Sequence, residues 1–275
     1  NFQFFTHSLN EAAAERLEIE SCLRQAIERG EFMLYFQPQI MLAEDRVGSV
    51  EALVRWRHPQ WGLVMPDRFI GLAEETGLIE PLGDWVLEEA CRQLLDLRQQ
   101  GFRNLRMAVN LSAHQLRHKG FGTRLQWLVR SHGFDAGELE LEITESVTME
   151  APELAAAALR GFRDLGVELT IDDFGTGYSS LSRLKLLPIQ RIKLDRCFVR
   201  DLETDANAAA ICRAIIAMAH SLGLRLVAEG VENEAQFRYL KELGCDDIQG
   251  YYFSRPLPAA QLVEYLSTFQ SGRGN

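Results

Sequence analysis

Eight short apolar runs punctuate this chain, and from the second onward each is separated from the next by a stretch patterned for helix. The runs lie at 33–40 (MLYFQPQI), 49–54 (SVEALV), 105–111, 139–143, 167–172, 189–194, 224–228 and 247–249. Helical patterns fill the gaps, for example at 83–99, 153–165, 205–221 and 233–243. Strands alternating with helices in this way suit a closed, mainly parallel barrel. One junction departs from the rule. Only LAEDRVG, 42–48, joins the first two runs, which is too short for a helical crossover and makes that pair antiparallel. The expected fold is therefore α/β: a TIM-like (β/α)8 barrel with an antiparallel first strand.

Residues 9–30 form a charged, amphipathic helical pattern that stops at Gly30, with Leu17, Ile19, Leu23 and Ile27 only roughly on one face. This predicts an N-terminal linker helix over 1–30, a barrel over 31–268 and a tail over 269–275. A chain of 275 residues with 47% hydrophobic content matches one barrel of about 250 residues. It begins at Asn1 and is read as a piece of a longer protein.

Composition excludes several classes. The five cysteines, Cys22, Cys91, Cys197, Cys212 and Cys245, have neither metal-ligand nor redox spacing and suit free thiols in a reducing compartment. No apolar run approaches the roughly 18 residues that span a bilayer, and no signal-peptide pattern is present. The expected location is cytoplasmic, with membrane anchoring of the full-length protein left open. A net charge of −10 disfavours a nucleic acid polymer, whose phosphates need a basic surface.

The chemistry emerges when the polar residues at the strand ends are aligned. Glu51, Asn110, Glu142, Asp172 with Asp173, Lys193, Glu229 and Gln249 fall on seven consecutive strands or at their ends. Barrels of this kind build their active sites at the C-terminal strand ends. A single such residue could equally be a solvated strand end or a helix cap; seven in succession argue for a site. Glu51, Asn110, Glu142, Asp172, Asp173 and Glu229 offer oxygen only, which suits hard cations such as Mg²⁺ or Mn²⁺. Five carboxylates in one pocket repel one another unless more than one divalent ion is present.

Around them, Gly175 and Gly177 turn the chain after the fifth strand, and Ser179 or Ser180 can cap the following helix. This loop is better placed to carry a metal site than to cradle phosphate. Glu145 is positioned to brace it. Cys197, close behind Lys193, has no nearby histidine base in sequence and reads as a buried thiol.

These residues carry a family resemblance. EAL at 51–53 resembles the signature of the EAL-domain phosphodiesterases, which hydrolyse cyclic di-GMP to linear pGpG. The likeness extends through YFQPQ (35–39), VNLS (109–112), LEITES (141–146) and IDDFGTGYSSL (171–181). It continues through IKLDRCFV (192–199), VAEGVE (227–232) and GCDDIQGYYFSRPLP (244–258), in matching order and spacing.

The resemblance implies two divalent cations, Mg²⁺ or Mn²⁺. It makes Glu51, Asn110, Glu142 and Asp172 ligands of one, with Asp172 bridging to a second and Asp173 and Glu229 nearby. It implies that Lys193 contacts the attacking water, that Glu232 and Gln249 complete the surroundings, and that Glu145 supports the loop after the fifth strand. Gln37, Leu53, Arg55 and Phe253 become substrate contacts, together with Asn110, Asp173 and Gln249. It also implies a homodimer and an upstream GGDEF or sensory domain. The alternatives are a non-catalytic cyclic di-GMP receptor, against which the intact ligand set argues, and an enolase-like barrel, which EGVE and DDFGTG do not fit.

Overall fold

In the computed structural model, which describes residues 2–150, 152–176 and 184–271, strands β1 (Phe32–Met41) and β2 (Arg46–His58) form a long antiparallel hairpin. Asp45 closes the turn with a left-handed φ of 51°, a conformation that short polar side chains tolerate. Strand β3 (Gly62–Val64) folds back on the end of β2. Six further strands then pair in parallel in sequence order, starting from β2. They are β4 (Arg106–Asn110), β5 (Leu139–Thr144), β6 (Glu168–Phe174), β7 (Arg191–Leu194), β8 (Arg225–Ala228) and β9 (Asp247–Gln249). Strand β9 pairs antiparallel with β1, so the sheet closes into an eight-stranded barrel. The first strand runs against both neighbours, as the short 42–48 junction required. A two-residue strand, β10 (Leu257–Pro258), also pairs with β1 and was too short to be read from the pattern.

Strand β2 continues four residues past its expected end. Trp56 is fully buried against the rings of Phe32, His58, Trp61 and Phe69, and its indole N–H donates to Glu31 Oε2 at 3.0 Å. Arg55, which breaks the apolar run in sequence, does not interrupt a strand held by pairing on both flanks.

The N-terminal segment is helical from Phe2 to Arg29 and ends at Gly30, whose φ is 65°. Ile19, Leu23 and Ala26, spaced by four and three residues, enter the main core, whereas Leu17 stays 68% exposed. Only part of the expected apolar stripe is therefore used, and it anchors the helix to the barrel. Gly177, Ser179 and Ser180, and residues 272–275 of the expected tail, lie outside the described residues.

Strand alternation sorts side chains into two environments. On β5, Leu139, Leu141 and Ile143 join the apolar core, while Glu140 and Glu142 turn to residues on other strands. On β7, Ile192 and Leu194 alternate in the same way with Arg191 and Lys193. The apolar core thus lies between sheet and helices. The barrel interior is charged and hydrogen-bonded, unlike the branched aliphatic filling usual in such barrels.

Candidate active site

Lys193 is 1% exposed, and its ammonium stands among four carboxylates. Nζ lies 2.8 Å from Glu142 Oε2, 2.8 Å from Glu229 Oε1, 3.2 Å from Asp172 Oδ1 and 3.4 Å from Glu51 Oε2. These acids come from β5, the residue after β8, β6 and β2, so barrel closure is what brings them together. Asn110 Nδ2 donates to Glu51 Oε1 at 2.8 Å, and Gln249 Nε2 donates to Glu51 Oε2 at 2.7 Å. The structure thus unites Glu51, Asn110, Glu142, Asp172, Lys193, Glu229 and Gln249 in one pocket.

One ammonium cannot neutralise four acids, and the proton affinities record the deficit. Burial raises Glu142 well above the usual carboxylate range, and repulsion from Glu51 adds to it. Burial likewise raises Glu229 to about 8 despite the attraction of Lys193. Asp173, though open to solvent, is raised by partial desolvation and by Asp172 beside it. For Glu51 burial acts in the same direction, but Lys193 and the amides of Gln249 and Asn110 outweigh it and lower the pKa. Burial alone would lower Lys193; the surrounding Asp172, Glu142, Glu229 and Glu51 instead hold it well above the ordinary lysine value.

The donor set fits divalent cations. Carboxylate oxygens of Glu51, Glu142 and Asp172 lie within 4.8 Å of one another, and so do those of Asp172, Asp173 and Glu229. The two groups share Asp172. All donors are hard oxygens, and a bound cation would supply the positive charge that the pocket lacks.

The loop after β6 is held in an uncommon conformation. Asp173 is exposed with φ 54°, and its N–H donates to Asp172 Oδ1 at 2.9 Å. As at Asp45, a short polar side chain tolerates this left-handed conformation. Gly175, at φ 97°, allows the loop to pass Phe198, whose ring a Cβ would meet at 2.7 Å. Its N–H donates to Glu145 Oε2 at 3.0 Å, so Glu145 contacts the loop as the sequence suggested.

A cavity of about 190 Å³ adjoins the carboxylates, lined in part by Gln37, Leu53, Arg196, Glu232 and Tyr251. Gln37 Nε2 donates to the Ser254 carbonyl at 3.1 Å. Arg55 is 5% exposed, with Nη1 donating to the Val54 carbonyl at 2.8 Å and its guanidinium over the Tyr35 ring. Glu232 is exposed. Phe253 packs its ring on Phe237 and Tyr252 and is not among the described residues that line the cavity. Tyr251 does line it, half-exposed beneath the guanidinium of Arg255. A larger groove of about 650 Å³ lies apart, beside Leu116, Leu154 and Phe162, with no acid among the described residues of its lining.

The structure corrects one expectation. Cys197 is exposed, on the short helix Arg196–Arg200 that follows β7. Desolvation and the Asp195 carboxylate raise its pKa to about 11, so it carries no thiolate at neutral pH.

A second polar layer beneath the site was missed. Arg191 is fully buried, donating from Nη1 to Glu140 Oε2 at 2.6 Å and from Nη2 to Asp247 Oδ2. Thr170 donates to Glu140 Oε1 at 2.5 Å, and Arg225 Nη2 donates to Asp247 Oδ1 at 3.0 Å. A signal existed: Gln39, Glu140, Thr170, Arg191 and Asp247 each sit two residues from a site residue on the same strand, at the spacing that returns to the same face.

Comparison with known proteins accords with this geometry. The EAL domain family model matches residues 20–256. The chain is 46% identical over 270 residues to the cyclic di-GMP phosphodiesterase NbdA of Pseudomonas aeruginosa, covering 98% of this chain and 34% of that protein. It is 42% identical over 268 residues to the cyclic di-GMP phosphodiesterase PdeR of Escherichia coli, covering 98% of this chain and 40% of that protein. The solved structure of the phosphodiesterase PaMucR in complex with c-di-GMP matches with a TM-score of 0.86 at 44% identity, over 89% of this chain and 99% of that one. The chain spans between a third and two fifths of the length of these curated relatives. With a family model matching most of its length and relatives above 40% identity, the chain belongs to the EAL domain family.

Proposed function

We propose that this chain is a metal-dependent phosphodiesterase that hydrolyses cyclic di-GMP to linear pGpG. The observation that carries this reading is the pair of three-carboxylate groups that share Asp172 and converge beside Lys193. Glu51, Glu142, Asp172 and Asn110 would hold one Mg²⁺ or Mn²⁺, and Asp172, Asp173 and Glu229 a second. When bound, such cations supply a water activated near neutral pH and offset the charge developing on the phosphoryl oxygens.

The chain's own groups do the rest. In the reaction the water oxygen bonds to phosphorus and gives up one proton, the P–O3′ bond breaks, and the leaving 3′ oxygen takes up one proton, so that the elements of water are divided between the two ends of the product. Lys193 remains an ammonium among its carboxylates and donates hydrogen bonds to the incoming oxygen, holding it in line. Arg55 supplies positive charge toward the phosphates, and Gln37 and Leu53 line the cavity where the ligand sits. Glu145 steadies the loop that carries Asp173.

The names borne by NbdA, PdeR and PaMucR support cyclic di-GMP as substrate. The greater length of the relatives supports an upstream GGDEF or sensory domain. Family resemblance supports a homodimer, which sedimentation of the purified domain tests. No helix among the described residues is long and apolar enough to cross a membrane. The deciding assay incubates the domain with cyclic di-GMP and Mg²⁺ or Mn²⁺ and separates products by chromatography. Formation of pGpG supports the reading; tight binding without product would make the chain a receptor.

A further inference from the structure

Gln39 links the two polar layers of the barrel. It is 1% exposed on β1, two residues from Gln37 and so on the same face. Its Nε2 donates to Gln249 Oε1 at 2.9 Å and to Glu142 Oε1 at 3.4 Å. Its Oε1 faces Arg191 Nη2 at 3.5 Å. Gln249 in turn donates from Nε2 to Glu51 Oε2 at 2.7 Å and to Gln37 Oε1 at 3.1 Å.

The ends of this chain dictate its direction. A guanidinium has only donors, and ionised carboxylates have only acceptors. With Arg191 at one end and the ionised Glu51 at the other, both amides must turn oxygen toward Arg191 and nitrogen toward Glu51. Reversing Gln39 would set its amino group against the guanidinium and its oxygen against the Gln249 oxygen. Arg191 cannot turn to accommodate this, because Glu140 holds its Nη1 and Asp247 also accepts from the Nη2 that faces Gln39.

We propose that Gln39 is a positioning residue for the active site: it transmits the fixed orientation of the buried Arg191 to Glu51 through Gln249, and to Glu142 directly. The role rests on the phosphodiesterase reading above, and it adds residues that touch neither substrate nor the reacting atoms. Groups that orient ligands from behind typically change metal affinity or activity by about 10–100-fold when removed. Gln39 should behave as one of them and not as neutral core filling.

The test compares wild type with Gln39→Met, which keeps the side-chain length but breaks the chain. Far-UV circular dichroism and thermal melting report folding. Mn²⁺ affinity is titrated by electron paramagnetic resonance without substrate, and kcat and KM are measured for cyclic di-GMP with Mg²⁺. The expectation is a folded protein with Mn²⁺ affinity and kcat each lowered by about 10-fold or more and KM changed by less than about threefold. Gln39→Asn keeps the amide but is one methylene too short to span Arg191 and Gln249 together, and should show the same losses. It decides the matter if Gln39→Met does not fold. Mn²⁺ affinity and kcat both within twofold of wild type in a folded variant would overturn the role. The metal titration needs no turnover, so it remains decisive even if wild type proved not to cleave cyclic di-GMP, an outcome that would sink the functional reading instead.

Discussion

Lys193 Nζ stands 2.8 Å from Glu229 Oε1, on the neighbouring strand's end, and 2.8 Å from Glu142 Oε2 across the barrel. Held above its ordinary pKa by four acids, the ammonium is suited to donate hydrogen bonds and unsuited to accept a proton. Its contribution should fall in the transition state, where the attacking oxygen must be aligned. Lys193→Ala is expected to lower kcat by at least about 100-fold while cyclic di-GMP binding in Ca²⁺ changes little. Calorimetry and product chromatography on one preparation make the comparison; a parallel fall in both would recast Lys193 as a substrate clamp.

Glu51→Ala should abolish hydrolysis and leave the fold intact. Glu51 raises the pKa of Glu142 by repulsion, so its removal relieves charge and opens no apolar cavity. Circular dichroism and melting of the variant should match wild type while pGpG formation disappears. Normal turnover by folded Glu51→Ala would remove Glu51 from the machinery.

Ca²⁺ should support cyclic di-GMP binding without turnover. It prefers oxygen ligands at about 2.3–2.6 Å against about 2.0–2.1 Å for Mg²⁺, with looser geometry. The carboxylates around Asp172 can hold it, but the reacting groups should be displaced. Rates measured side by side in the two ions provide the check, and equal rates would refute the expectation.

Arg191→Met should destabilise the metal-free domain by roughly 3–5 kcal/mol, the usual cost of leaving buried partners of a charge unpaired. Glu140 and Asp247 are almost wholly buried, and both lose their shared cation. Adding Glu140→Gln and Asp247→Asn to the same variant should restore most of the loss, because neutral amides need no counter-ion. Urea unfolding of the three proteins measures it. A single variant as stable as wild type would show that Arg106 and Arg225, which also reach these acids, suffice.

Much of this organisation is local and could be read in one dimension. Apolar runs of strand length, the seven-residue link at 42–48 and the stop at Gly30 each follow from backbone geometry over a few residues. They specified the order of elements and the antiparallel start. The acids at the strand ends were equally visible, because parallel strands joined by helices must present those ends on one face.

Which side chains meet across the barrel was another matter. The meeting of Gln39 with Arg191, 152 positions apart, depends on closure and on the register Gln39↔Gln249. The turn after Gln249 decided that Tyr251 lines the cavity while Phe253 packs on Phe237. Cys197 and Val199 share the helix after β7, yet packing leaves the first exposed and buries the second. Periodicity states which face of a strand a residue occupies, because it arises from the chain's own dihedral angles. The partner on that face is set by the closure and stagger of all eight strands together, and only the tertiary structure decides it.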